Sequence, residues 1–134
     1  MSIDQSIQAS YQTTETDEVV GVVFAVPDKW WGFEAEGRED HPGACVRERM
    51  VTQEFELLKG TGAENKTKYR RSELVVAVSE TNGLQKLTLF SLKPRPFRKH
   101  RVRNLTPERV MGRLSDDDLN RLQSAMVRLF GAQG

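Results

Sequence analysis

The stretch Glu18–Val26, EVVGVVFAV, is apolar at nearly every position and rich in β-branched side chains. A strand on a one-sided sheet alternates apolar with polar residues. One that is apolar on both faces belongs at the centre of a sheet or in a sheet closed on itself. Pro27 stops it, and Asp28–Gly43 follows as a long loop containing Trp30, Trp31 and Phe33. The paired tryptophans are expected to fold back over an open end of the structure rather than to stack on bases.

The rest of the chain reads as more short strands closed by a helix. Gly43–Val51 and Glu54–Lys59 are strand-like, the second alternating Phe55 and Leu57 with Glu54, Glu56 and Leu58. Ser72–Ser79 and Leu87–Ser91 flank Thr81-Asn82-Gly83, a hairpin signal because Asn-Gly readily takes positive φ. Thr106-Pro107-Glu108 predicts an N-cap with proline at the first helical position, hence a short helical turn over Pro107–Met111 ended by Gly112. Ser115 with Asp116, Asp117 and Asp118 predicts the cap and acidic first turn of a longer helix. Leu119, Leu122, Met126 and Leu129 recur along it at helical spacing, and Gly131 stops it. With five or so short strands, a terminal helix and no βαβ alternation, the expected fold is mainly β (α+β): a small, strongly bent β-barrel with one packed helix.

The length of 134 residues fits one domain, placed at residues 17–134. Residues 1–16, rich in Ser, Thr and Gln, are expected to form a flexible leader. The single cysteine, Cys45, has no intramolecular disulfide partner, and the beginning of the chain does not resemble a secretory signal. A reducing cytoplasm is the expected compartment. No apolar run approaches the roughly 20 residues that span a bilayer, and His41, His100 and Cys45 lack zinc-ligand spacing. No membrane, metal or cofactor is therefore expected.

Formal net charge is only +1, yet the charge is unevenly placed. Acids dominate before His41, so any surface for a polyanion should come from the later chain. Leu87–Arg103, LTLFSLKPRPFRKHRVR, begins as an apolar strand and continues through Lys93, Arg95, Arg98, Lys99, Arg101 and Arg103 with no acid between them. Pro94 and Pro96 remove backbone donors, so the basic part is expected to be an extended rim segment rather than a helix. A second basic cluster, Lys66, Lys68, Arg70 and Arg71, reads as an exposed loop.

The order of these elements resembles the MazF/PemK-type toxin family, SH3-like barrels that include sequence-selective endoribonucleases and are related in fold to CcdB. Three places carry the resemblance. His41-Pro42-Gly43-Ala44-Cys45-Val46 is similar to the family's Arg-Pro-Ala-Val-Val strand. Leu87–Arg95 stands where the family has a strand ending in Thr or Ser before a basic proline segment. Arg109-Val110-Met111-Gly112-Arg113-Leu114-Ser115-Asp116-Asp117-Asp118-Leu119 is similar to the closing R-L-x-G-R-L-S-x-E-D-L.

The resemblance implies an SH3-like barrel, a homodimer, a proteinaceous antitoxin and metal-independent cleavage of single-stranded RNA. It places His41 at the functional Arg position, Ser91 at the Thr position, and Glu36 or Glu39 at the acidic position. Such cleavage needs a base for the 2′-OH proton, an acid for the departing 5′-oxygen and positive charge on the phosphorane oxygens. His41 suits proton transfer, Ser91 a hydrogen bond to phosphate, and Arg38, Lys93 or Arg95 the charge. Arg98, Lys99 and Arg101 extend the expected RNA track. Three readings stand at this point: a catalytic toxin-like ribonuclease, a nucleic-acid-binding or antitoxin-binding module on the same barrel, and a CcdB-like partner of gyrase. His41 as a residue that merely opens a strand also stays open.

Overall fold

The computed structural model describes residues 19–32, 40–63 and 70–131. The leader placed at residues 1–16 lies outside them. The described residues form seven strands, a 3₁₀ turn and two helices: β1 Val22–Pro27, the 3₁₀ turn Asp28–Trp31, β2 Asp40–Arg49, β3 Glu54–Gly62, β4 Glu73–Val76, β5 Thr88–Ser91, β6 Arg95–Arg98, α1 Lys99–Arg103, β7 Val110–Arg113 and α2 Asp116–Phe130. All pairings are antiparallel, in the order β4-β5-β3-β2-β1-β7, with β6 added to β3. The two end strands of this order, β4 and β7, do not pair with each other, so hydrogen bonding does not close the sheet.

β3 is the organising strand. One edge holds β2 along most of its length, while the other holds β6 over Glu54–Leu57 and β5 over Gly60–Gly62. Phe90 faces Gly60 and Arg95 faces Leu57, so four residues on the β5–β6 side oppose two on β3. Ser91–Pro94 is therefore a wide bulge where the partner strand changes direction. Pro96 is tolerated there because β6 pairs only with β3 and its other edge carries no strand.

The sheet is apolar on both faces, as the pattern of Glu18–Val26 requires. Val23, Ala44, Val46, Leu58 and Phe90 point to one core, which α2 covers with Leu122, Ala125 and Met126, while Leu119 and Leu129 pack at its margin. Phe24, Val26, Cys45, Phe55 and Leu57 point to the other, which Trp31, Phe97, Val102 and Leu105 cover. The tryptophans thus belong to the second core: Trp31 is buried and meets Phe97 edge-on at 5.6 Å, and Trp30 lies 5.1 Å from the same ring. Cys45 sits inside this core, where burial pushes its thiol far above the ordinary range and makes it an inert packing residue.

Two local expectations are corrected. The basic segment is not extended throughout: Lys99–Arg103 is a helix, because both prolines lie upstream and Val102 gains a buried position by turning inward. Pro107–Met111 is not a helical turn. Val110–Arg113 pairs with β1, and the exposed edge of an apolar strand overrides the local capping signal. β4 and β5 pair antiparallel and Gly83 takes φ 73°, as the Asn-Gly signal predicts. Asn82 is wholly buried in their connection, its side chain accepting from Ser79 N–H and Leu84 N–H and donating to Ala77 O. A Cβ at Gly83 would lie 2.0 Å from Met111 O, so this connection rests directly on the β7 backbone.

The closing helix follows its sequence signals. Ser115 Oγ accepts from Asp118 N–H at 3.1 Å, three acids occupy the first turn, and Gly131 N–H closes on Val127 O.

Candidate functional site

Strand register brings His41 to the face of the sheet that carries the second core. It lies opposite Val26, and its side chain reaches the 3₁₀ turn that begins immediately after β1. There its Nδ1 lies 2.5 Å from Asp28 Oδ1. Asp28 is buried, and the imidazole is about a quarter exposed. A carboxylate on Nδ1 fixes the tautomer and ring plane.

Lys59 joins this pair from β3. It lies opposite Gly43, two residues along from His41 and on the same sheet face. Partial burial lowers the pKa of its amine, the nearby Arg95 lowers it further, and Asp28 opposes both. Arg95 comes from the first position of β6 and donates from Nη2 to Trp31 O at 3.3 Å. One carboxylate, one imidazole, one amine and one guanidinium are therefore brought near one another from the 3₁₀ turn, β2, β3 and β6. Gly43 beside them lets the second core close, because a Cβ there would stand 2.7 Å from Val26 Cγ2 and 3.0 Å from Trp31 Cζ2.

The hydroxyl expected beside His41 is a different one. Ser91 ends β5, with β3 between it and β2, so two strand spacings of roughly 5 Å each separate it from His41. Its Oγ accepts from Lys93 N–H at 3.4 Å, which fits a bulge-forming role. Thr61 lies two residues beyond Lys59 on β3 and on the same face of that strand. His41 and Thr61 also share a cleft of about 310 Å³ with Asp40, Gly62, Lys86 and Thr88. That cleft opens toward Leu84 and Met111, on the side of the first core, whereas Asp28 and Lys59 stand over the second. Asp28, Lys59 and Arg95 do not line this cleft, and His41 belongs both to it and to the pair with Asp28.

The remaining expected residues divide. Glu36, Glu39 and Arg38 fall outside the described residues. Lys93 is exposed in the bulge, while Arg98 and Arg101 are exposed beyond it. Lys99, also expected on the RNA track, is buried, pairs with Glu48 and lies 5.5 Å over the Phe55 ring. The residues that sequence reading did not assign to the site are Asp28, Lys59 and Thr61. Lys59 and Thr61 were visible as polar positions on the face that Phe55 and Leu57 make apolar, but only the β2–β3 register aligns them with His41. Asp28 had no signal beyond following a strand-ending proline.

Among the described residues no group of three or more His, Cys, Asp and Glu side chains is placed to hold a metal ion. No helix of the described residues is long and apolar enough to cross a membrane.

No family model matches this chain, and no curated protein matches it in sequence.

Proposed function

We propose that this protein is a toxin-like, metal-independent endoribonuclease of the MazF/PemK type, built on a sheet that curls as an SH3-like barrel does and acting on single-stranded RNA. The observation that carries the reading is the convergence of His41, Asp28, Lys59 and Arg95 on one face, a set that covers every proton transfer and charge the cleavage needs. His41, oriented by Asp28, takes the 2′-OH proton as the 2′-oxygen attacks phosphorus. Arg95 holds the charge that builds on the non-bridging oxygens. Lys59, an amine with a depressed pKa and therefore a better acid than an ordinary lysine, gives its proton to the departing 5′-oxygen. The P–O5′ bond breaks as the P–O2′ bond forms, leaving a 2′,3′-cyclic phosphate and a 5′-hydroxyl. Thr61 takes the place first assigned to Ser91 as the hydroxyl beside the reacting phosphate.

The resemblance adds a homodimer, a proteinaceous antitoxin that covers the groove, a preference for particular RNA sequences and a cytoplasmic setting. The uneven charge of the chain supports an anionic partner. The test is to incubate purified protein with mixed-sequence single-stranded RNA in EDTA and to analyse the ends. Cyclic phosphate and 5′-hydroxyl ends are expected, and RNA left intact would refute the chemistry.

A further inference from the structure

A second concavity, of about 370 Å³, lies beyond the far end of β6 and is lined by Gln53, Arg98, Lys99, His100, Arg103 and Asn104. Every one of these side chains is polar, and Lys99 is already neutralised by Glu48. Four arginines elsewhere in the fold, Arg47, Arg49, Arg109 and Arg121, have carboxylate partners. No carboxylate of the described residues pairs with Arg98, Arg101 or Arg103, although Glu54 stands opposite Arg98 in the strand register. Two of the three are instead seated on rings: Arg103 lies 5.3 Å over Phe55, and Arg101 lies 4.1 Å over Trp30. Ring seating orients a guanidinium without cancelling its charge. Of the side chains that line the hollow, Arg103 is oriented in this way, and Arg98 and Arg103 stand there as guanidinium donors that no carboxylate of the described residues neutralises.

β6 links this hollow to the proton-transfer group. Arg95 opens the strand beside Lys59 and Arg98 ends it, a rise of roughly 10 Å along an edge that carries no other strand. A short stretch of single strand covers that distance.

We infer that Arg98, His100 and Arg103, with the amides of Gln53 and Asn104, form a phosphate subsite for single-stranded nucleic acid. It receives the backbone of the strand that flanks the scissile phosphate, and it rests on the ribonuclease reading for its orientation toward Lys59. An acidic peptide is the other polyanion that such charge attracts. It is disfavoured because no hydrophobic residue is among those that line the hollow to anchor a peptide side chain.

The experiment uses the full chain and a fluorescent 2′-deoxy strand of about 12 nucleotides, a length within the usual range of single-strand sites. This probe cannot be cleaved through a 2′-oxygen. Its affinity is measured by anisotropy over a range of salt for wild type, R98Q/R103Q, R98K/R103K and the distant control R121Q, each checked for a wild-type melting curve. The R98Q/R103Q variant is expected to bind at least tenfold more weakly, with a salt slope shallower by roughly 0.7 for each phosphate that the protein no longer neutralises. R98K/R103K should keep most of the slope while losing affinity, and R121Q should match wild type. Unchanged affinity and slope in R98Q/R103Q overturn the subsite, as does a chain that ignores the strand but binds a glutamate-rich peptide through Arg98 and Arg103. Failure of the ribonuclease reading is separate: a chain that binds the strand through these arginines yet leaves RNA uncut keeps the subsite and loses the catalysis.

Discussion

His41 and Asp28 are thirteen residues apart in the chain and 2.5 Å apart in the fold, Nδ1 against Oδ1. The contact exists because β1 ends at Pro27 and its 3₁₀ turn swings Asp28 toward the first residues of β2. A buried carboxylate with an imidazole partner is costly to place and is retained here at the edge of a cleft. Asp28→Asn keeps the shape but removes the charge and the tautomer control. Cleavage of RNA is expected to slow by about 10²–10⁴-fold with little change in the affinity for uncleavable strand. Single-turnover rates and anisotropy together check this, and loss of affinity without loss of rate would place Asp28 in binding instead.

Lys59 gives the site a pH signature. Its protonated form is the proposed acid, so the rate should fall as pH rises through its pKa, which lies below the ordinary lysine value of 10.5. Arg95 is one cause of the depression, so Arg95→Gln should move that alkaline limb to higher pH while lowering the rate. The same depression means that protonated Lys59 costs the folded state stability at neutral pH. That cost is relieved as pH rises through the folded value, because the unfolded chain then binds more protons. Lys59→Met should therefore raise the urea midpoint at pH 7 and abolish the limb. An unshifted limb in Arg95→Gln would remove Lys59 from the proton transfer.

Away from the site, Glu56 is the buried charge on which the β2–β3 hairpin depends. Arg47 Nε donates to it at 2.6 Å and Arg49 Nη1 at 3.1 Å, both across the strand pair. Glu56→Ala leaves two guanidiniums facing an apolar strand and is expected to cost about 3–5 kcal/mol in urea unfolding, whereas a solvated pair such as Arg121–Asp118 is worth under about 1 kcal/mol. Equal effects of Glu56→Ala and Asp118→Ala would show that the hairpin pair is solvated too.

What could be read in advance follows from the range over which each signal acts. The two-faced apolar β1, the Ser115 cap and the α2 stripe are local patterns, and the structure keeps them. β6 and β7 were hidden, one behind two prolines that an edge strand tolerates, the other behind a Thr-Pro-Glu cap that pairing with β1 overrides. At the site, His41 was legible through its place before Pro42, whereas Lys59 required the β2–β3 register and Asp28 required a tertiary turn. Ser91 was drawn from its place at a strand end, and the bulge at Ser91–Pro94 gives that hydroxyl a local backbone partner instead.

The central claim is that His41 exchanges protons with RNA, and it is tested most directly by single-turnover cleavage of one single-stranded RNA in EDTA by wild type and by His41→Ala, with matched melting curves. The account expects cyclic phosphate and 5′-hydroxyl products from wild type and a rate reduced on the order of 10²–10⁴-fold in the variant. Equal rates for the two proteins would contradict it.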